Sequence, residues 1–341
     1  MDDAPAPGLA LGPLGTIQPM TETEELTDLV ASAERLDDAP WPDTAMMFDL
    51  VTRVGDLNER VGEGFDDPAD EILLLKLRAR AARCLRQMGA ADLAVQVGEA
   101  LVADAERVFG PDHRATLDLR DGLACAYQDA GRVDEATALL ETTLADCERV
   151  LGDDDPDTLG CRNNLAAAYE ANERVEEATA LYERTLADRR RVLGEDHPQT
   201  LTTGNNLAHM YLTAGRFDEA VALYERTLTG RERVLGQDNC RTVLSRECLA
   251  GAYWACGRFA DAVALHERIC SDLEQALGED HPDTLGSRNN LALTYQDAGR
   301  PQDAESLLAR VLPACERIVG ADHPLTTMVA DNLAATRAGA R

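Results

Sequence analysis

Apolar side chains along this chain recur at helical spacing, and no alternating run rich in Ile, Thr, Tyr and Phe interrupts them. That is the pattern of one-sided helices and not of strands. Leu165, Ala166 and Tyr169 form one stripe; Ala178, Leu181, Tyr182 and Leu186 form the next. The stripes themselves repeat. Leu123, Leu165, Leu207, Leu249, Leu291 and Leu333 stand 42 residues apart, each followed by Ala. Tyr127, Tyr169, Tyr211, Tyr253 and Tyr295 keep the same period, as do Ala136, Ala178, Ala220, Ala262 and Ala304. Each period therefore predicts two helices, A and B, folded into a hairpin, with the small alanines letting A and B approach closely. No single hairpin buries both its faces, so neighbours must stack to supply the core.

The ends of these helices are also written in the pattern. Gly131, Gly215, Gly257 and Gly299 end helix A, and Gly110, Gly152, Gly194, Gly236, Gly278 and Gly320 close helix B, as expected of a residue that accepts the left-handed conformation. Asp155-Pro156, His197-Pro198, His281-Pro282 and His323-Pro324 place a capping side chain before a proline at the first helical position. Hairpins are expected near 114–150, 157–193, 199–235, 241–277 and 283–319. The organisation that follows is a disordered leader over 1–20, an acidic helical N-terminal cap over 21–70 and a divergent hairpin over 71–110. Five 42-residue hairpins then fill 111–324, and a capping helix and tail close the chain over 325–341. The fold class is all-α, about six helical hairpins plus terminal capping helices. The acidic segment has a second reading, an autoinhibitory strap across the solenoid.

Charge narrows the partners. The chain carries 62 acidic and 33 basic residues, a net charge of −29, and Lys76 is its only lysine. Such a surface disfavours nucleic acid, which needs clustered cations, and a Walker-type phosphate loop lacks its lysine. Residues 1–70 hold about half of the negative excess. No stretch approaches the ~18 apolar residues of a membrane span, and the first twenty residues lack the basic start of a secretory signal. The nine cysteines include no CxxC pair and read as reduced thiols in a cytoplasmic protein.

The motif Leu-Gly-x-Asp-His-Pro-x-Thr-Leu, then Asn-Asn-Leu-Ala-x-x-Tyr, then Gly-Arg-x-x-Glu-Ala, is nearly complete in residues 193–220, LGEDHPQTLTTGNNLAHMYLTAGRFDEA. It closely resembles kinesin light chain-type tetratricopeptide repeats, and the resemblance spans about residues 110–334. It implies a right-handed α-α superhelix with A helices lining the concave side, and a stand-alone bacterial member of a group of adaptors, scaffolds and sensor arms. It also implies that the Asn just before the helix A Leu grips peptide backbone; here these are Asn164, Asn206, Asn290 and Asn332. Helical phase agrees, since Asn164 sits about 100° from Leu165, and an amide both donates and accepts. Asn163, Asn205 and Asn289 are expected to face the same side. The alternative is that these amides only bond neighbouring A helices. The lysine with which chaperone-binding relatives hold a terminal carboxylate is replaced by Gly160, Thr202, Leu244 and Gly286. The fourth repeat departs most: Asn239-Cys240 replaces His-Pro, Glu247-Cys248 replaces Asn-Asn, and Trp254 joins Glu247 and His209 on the concave phase.

Other constellations carry less. His113, His197, His281 and His323 lie in equivalent loops a full repeat apart, too far to share a metal ion; capping is the expectation. Cys240, Cys248, Cys256 and Cys270 cluster with His266 as core thiols, a redox role being the rival reading. Arg120, Arg162, Arg246 and Arg288 fall near the packing face and should pair with Asp or Glu of a B helix, the rival reading being an arginine ladder that attracts acidic peptide. No catalytic residue, metal or cofactor is assigned. The function expected is a scaffold binding an extended peptide of a partner protein. The alternatives are a sensor solenoid for a small ligand or signalling peptide and, without a supporting motif, an accessory enzyme. Oligomeric state is unknown.

Overall fold

The structure, a computed structural model, describes residues 21–37, 43–61, 67–237 and 239–339; the leader expected over 1–20 lies outside them. All regular structure among the described residues is helical. Six hairpins stack in order: α3 (Pro68–Gln87) with α4 (Ala91–Phe109), α5 (Arg114–Asp129) with α6 (Val133–Val150), and α7 (Pro156–Ala171) with α8 (Val175–Val192). They continue with α9 (Pro198–Thr213) and α10 (Phe217–Leu235), α11 (Cys240–Ala255) and α12 (Phe259–Leu277), α13 (Pro282–Asp297) and α14 (Pro301–Ile318). α15 (Pro324–Gly339) covers the far end. At the near end α1 (Glu22–Asp37) and α2 (Thr44–Val61) share one core with α3, built from Leu26, Leu29, Leu50, Leu57, Leu74 and Leu77.

The two alanine ladders explain the close stacking. Ala124, Ala166, Ala208, Ala250 and Ala292 on the A helices and Ala136, Ala178, Ala220, Ala262 and Ala304 on the B helices are all 0 % exposed. Ala94 of α4 joins the second ladder, also fully buried. The backbones of successive A helices approach one another at most joints, while those of successive B helices stay farther apart. The stack therefore curves with the A helices on its inner wall.

Three polar devices recur along the joints, the second of them at four of the six. The capping side chains His113, Asp155, His197, Asn239, His281 and His323 all accept the N–H two residues on, at 2.9–3.3 Å. A buried threonine ties the start of helix A to the glycine closing the previous helix B: Thr116, Thr242, Thr284 and Thr326 donate to the carbonyls of Gly110, Gly236, Gly278 and Gly320. Each repeat tyrosine donates to a glutamate of the previous B helix, as Tyr169 to Glu141 at 3.0 Å and Tyr211 to Glu183 at 3.0 Å. The arginine of the Gly-Arg turn lies over the tyrosine ring, Arg216 at 3.9 Å from the Tyr211 centroid, adding a cation–π contact. In the second repeat Glu173 replaces the turn glycine and still adopts φ 58°, at a cost of about 1 kcal/mol.

The arginine row pairs with B-helix acids, as its phase suggests. Arg162 is 0 % exposed and bridges Glu148 (3.0 Å) of α6 and Asp188 (2.9 Å) of α8. Arg246, equally buried, bridges Glu232 (2.9 Å) and Asp272 (2.5 Å). Arg120 does the same with Glu106 and Asp146. Repeat three abandons the device wholesale: Arg190, Gly204 and Gly230 stand where the acid, the arginine and the second acid would be. Helices α9 and α10 instead close directly, for a Cβ on Gly204 would meet Thr227 Oγ1 at 2.8 Å and one on Gly230 would meet Leu201 Cδ2 at 2.5 Å.

Candidate functional site

The inner wall consists of parallel rows, one residue per A helix. The row two before the leucine is a seam at Asn163 and Asn289 and only partly open elsewhere. Asn163 is 7 % exposed and accepts from Thr203 Oγ1 at 2.9 Å; Asn289 is 0 % exposed and accepts from Asn332 Nδ2 at 2.9 Å. Asn205, half-buried, contacts Cys248 Sγ at 3.8 Å and Ser245 Oγ at 3.5 Å. The expectation that Asn163 and Asn289 face the trough is thereby corrected. An A helix is flanked by A helices on both sides as well as by B helices, so less of its circumference faces inward than the leucine stripe alone implies. Glu247 of the same row is half-buried, and burial, reinforced by Asp283, holds its carboxyl above the usual range.

The row immediately before the leucine is more open. Asn290 is exposed and its amide makes no hydrogen bond. Asn206 is half-buried beside the Tyr182 hydroxyl. Asn164 and Asn332 spend one N–H on the seam, Asn164 Nδ2 donating to Asp121 Oδ2 at 2.8 Å. Nearer the helix ends, His209 is exposed with Nε2 3.5 Å from Glu170 Oε1. Trp254 is 46 % exposed, its Nε1 donating to Asp297 Oδ2 at 2.6 Å. The structure adds two exposed apolar side chains, Leu244 (52 %) and Met328 (45 %), five residues before the ladder leucine. Their shared register was the sequence signal for them.

Sequence reasoning also missed Asp121. It sits where three other repeats carry the first Asn of Asn-Asn, followed by Gly122, so the motif is broken there. The residue keeps some exposed surface, but Oδ1 has none and no partner. Burial dominates, pushing its carboxyl up to about 7 despite the Asn164 hydrogen bond. A carboxyl that titrates higher in the folded state than in the unfolded chain favours folding at low pH, and that advantage is lost as pH rises through about 4 to 7. Asp121→Asn is therefore expected to unfold at higher temperature than wild type at pH 8 and to match it near pH 4. The gain should be about 1–3 kcal/mol, read from denaturation at both pH values; an equal difference at both would contradict the assignment.

The thiols fit packing better than redox chemistry. Burial raises Cys248, Cys256 and Cys270, and pushes Cys125 up to about 12, which suppresses the reactive thiolate. Buried His266 is held below its ordinary range by desolvation.

Fold and wall together define a superhelical repeat module with a continuous inner trough. The tetratricopeptide repeat model matches residues 73–149, 126–187, 161–233, 241–317 and 287–340, and the chain belongs to that family, a right-handed α-α solenoid fold that mediates protein–protein interactions. It is similar to the kinesin light chain-type, nearly identical TPR-like repeats of Podosopora anserina, at 34% identity over 60% of this chain and 97% of that one, with a TM-score of 0.56. BtubC (BKLC) of P. vanneervenii shares 25% identity over 70% of this chain and 93% of that one, TM-score 0.56. The Rap protein solved with Competence and Sporulation Factor shares the fold, at 13% identity over 94% and 77%, TM-score 0.57. No curated protein matches the chain. No described helix is long and apolar enough to cross a membrane.

Proposed function

We propose that the chain is a cytoplasmic scaffold or adaptor that binds an extended peptide segment of a partner protein along its A-helix trough. The observation that carries this reading is a wall whose amides and aromatic are not all consumed internally: Asn290 has no side-chain hydrogen bond, and Trp254 leaves nearly half its surface open at 46 %. The side-chain amides of Asn206 and Asn290 supply donors and acceptors to the peptide backbone, Asn164 and Asn332 each retain a side-chain carbonyl oxygen, and His209, Glu247 and Trp254 read side chains. The negative surface supports a peptide partner over nucleic acid, the free cysteines suit a reducing compartment, and no reaction is assigned to the wall.

A random peptide display library selected on the purified chain tests this. The selected peptide should bind Asn206→Ala/Asn290→Ala at least about tenfold more weakly, the loss of two hydrogen bonds of about 1 kcal/mol each, while thermal unfolding hardly moves. Unchanged affinity in the double variant would sink the groove assignment.

A further inference from the structure

Two cavities meet on the inner wall near its N-terminal end, one of about 220 Å³ between α3 and α5 and one of about 260 Å³ between α5, α7 and α9. Both are lined by Asp118, Asp121 and Asn164. The larger has an unusual floor, Arg189 of α8. Four of the five other repeats place Ala105, Cys147, Leu273 or Cys315 at that position, small or apolar residues suited to a core. Arg189 is 3 % exposed, its Nη1 donates to Thr203 Oγ1 (2.6 Å) and the Gln199 carbonyl (3.0 Å), and its Nε has no partner. It forms no ion pair, whereas the buried arginines Arg162 and Arg246 each hold two carboxylates. Burial accordingly pulls its pKa down to about 10. Gly160 opens it to the trough: a Cβ there would lie 3.9 Å from Nη2, with no other heavy atom within 4 Å. Arg231 occupies the equivalent position one repeat on, but Thr202 stands over it in place of a glycine.

We propose that this cavity binds a small zwitterion, a free α-amino acid, with its carboxylate on Arg189 and its ammonium on Asp121 and Asp118. A buried guanidinium without a salt bridge favours an anion, and an unpartnered buried carboxylate oxygen favours a donor. Neither a simple acid nor a simple amine satisfies both, because each would meet a like charge. The remaining charged groups around the cavities are already engaged or open to solvent: Asp157 pairs with Arg114 at 2.6 Å, Arg86 with Asp129 at 2.5 Å, and Arg83 is exposed beside Asp118. The volume lies below the roughly 300–1,000 Å³ of sites for drug-sized ligands, so the guest is amino-acid-sized.

The experiment is calorimetric titration of the full chain with the standard amino acids, each compared with its N-acetyl and its C-amide form. At least one free amino acid should bind, and blocking either end should weaken it about tenfold or more. Gly160→Leu, which fills the mouth and suits a helix, should abolish binding; Gly286→Leu, at the equivalent site of α13 with nothing within 4 Å, should not. Below pH 7 affinity should fall by up to about tenfold per unit as Asp121 takes up its proton. Absence of binding by every free amino acid, equal binding of blocked forms, or an inert Gly160→Leu would each overturn the site. Peptide capture through Asn206 and Asn290 is read independently, so the two proposals fail separately.

Discussion

Arg246→Ala is expected to lower the free energy of unfolding by about 3–5 kcal/mol, the typical cost of removing one partner from a buried ionic cluster. The guanidinium is 0 % exposed, and it holds Glu232 of α10 and Asp272 of α12 from a position on α11 between them. It also donates to the Gln237 carbonyl at 3.1 Å. Truncation would leave two carboxylates facing one another across the joint with only the half-exposed Arg268 to share between them. Because a solenoid is stabilised by nearest-neighbour interfaces, the loss should be local, and amide exchange should accelerate in α10 to α12 more than in α5 to α8. Arg268→Ala gives the comparison. That side chain approaches the same two acids, at 3.2 and 3.8 Å, but is 43 % exposed, so it should cost under about 1 kcal/mol. Equal costs for the two variants in chemical denaturation would mean that the clamp does not hold the joint.

Trp254→Ala should be the most damaging single change to peptide capture, weakening the selected peptide by about 2 kcal/mol, or roughly thirtyfold. The indole is positioned by its bond to Asp297 across the seam between α11 and α13, which fixes the ring at little entropic cost to binding. The exposed faces of Leu244 and Met328 lie along the same wall, so an apolar side chain of the peptide has a surface to cover. Thermal unfolding should change little, because the ring is not part of the buried core. Trp254→Phe should recover part of the affinity. The chain has two tryptophans, and in a Trp41→Phe background the emission of Trp254 should shift on peptide addition. An unshifted spectrum together with full affinity of Trp254→Ala would remove Trp254 from the site.

What the sequence made legible was whatever repeats. The leucine, alanine and glycine ladders fix both hairpins and stacking, because small residues at equivalent positions admit one close packing. The arginine row was legible by phase, although its partners, fourteen residues back and twenty-six ahead, emerge only once two B helices straddle one A helix. The asparagine pair was half legible. Phase about one helix axis cannot register that Asn163 and Asn289 are covered by the neighbouring A helix, a contact between residues about forty positions apart. Singular residues were the least legible. Asp121 and Gly122 break the motif and Arg189 lies outside it, and a pattern built from recurrences treats them as drift, although burial makes Asp121 and Arg189 chemically distinctive groups of the wall.

The most direct measurement of the central claim is hydrogen–deuterium exchange of the full chain with and without the selected peptide. If the hairpins form one trough and the peptide lies in it, protection should concentrate in α7, α9, α11 and α13, with the B helices α8, α10, α12 and α14 nearly unchanged. Protection confined to the B helices, or to α1 and α2, would contradict the account.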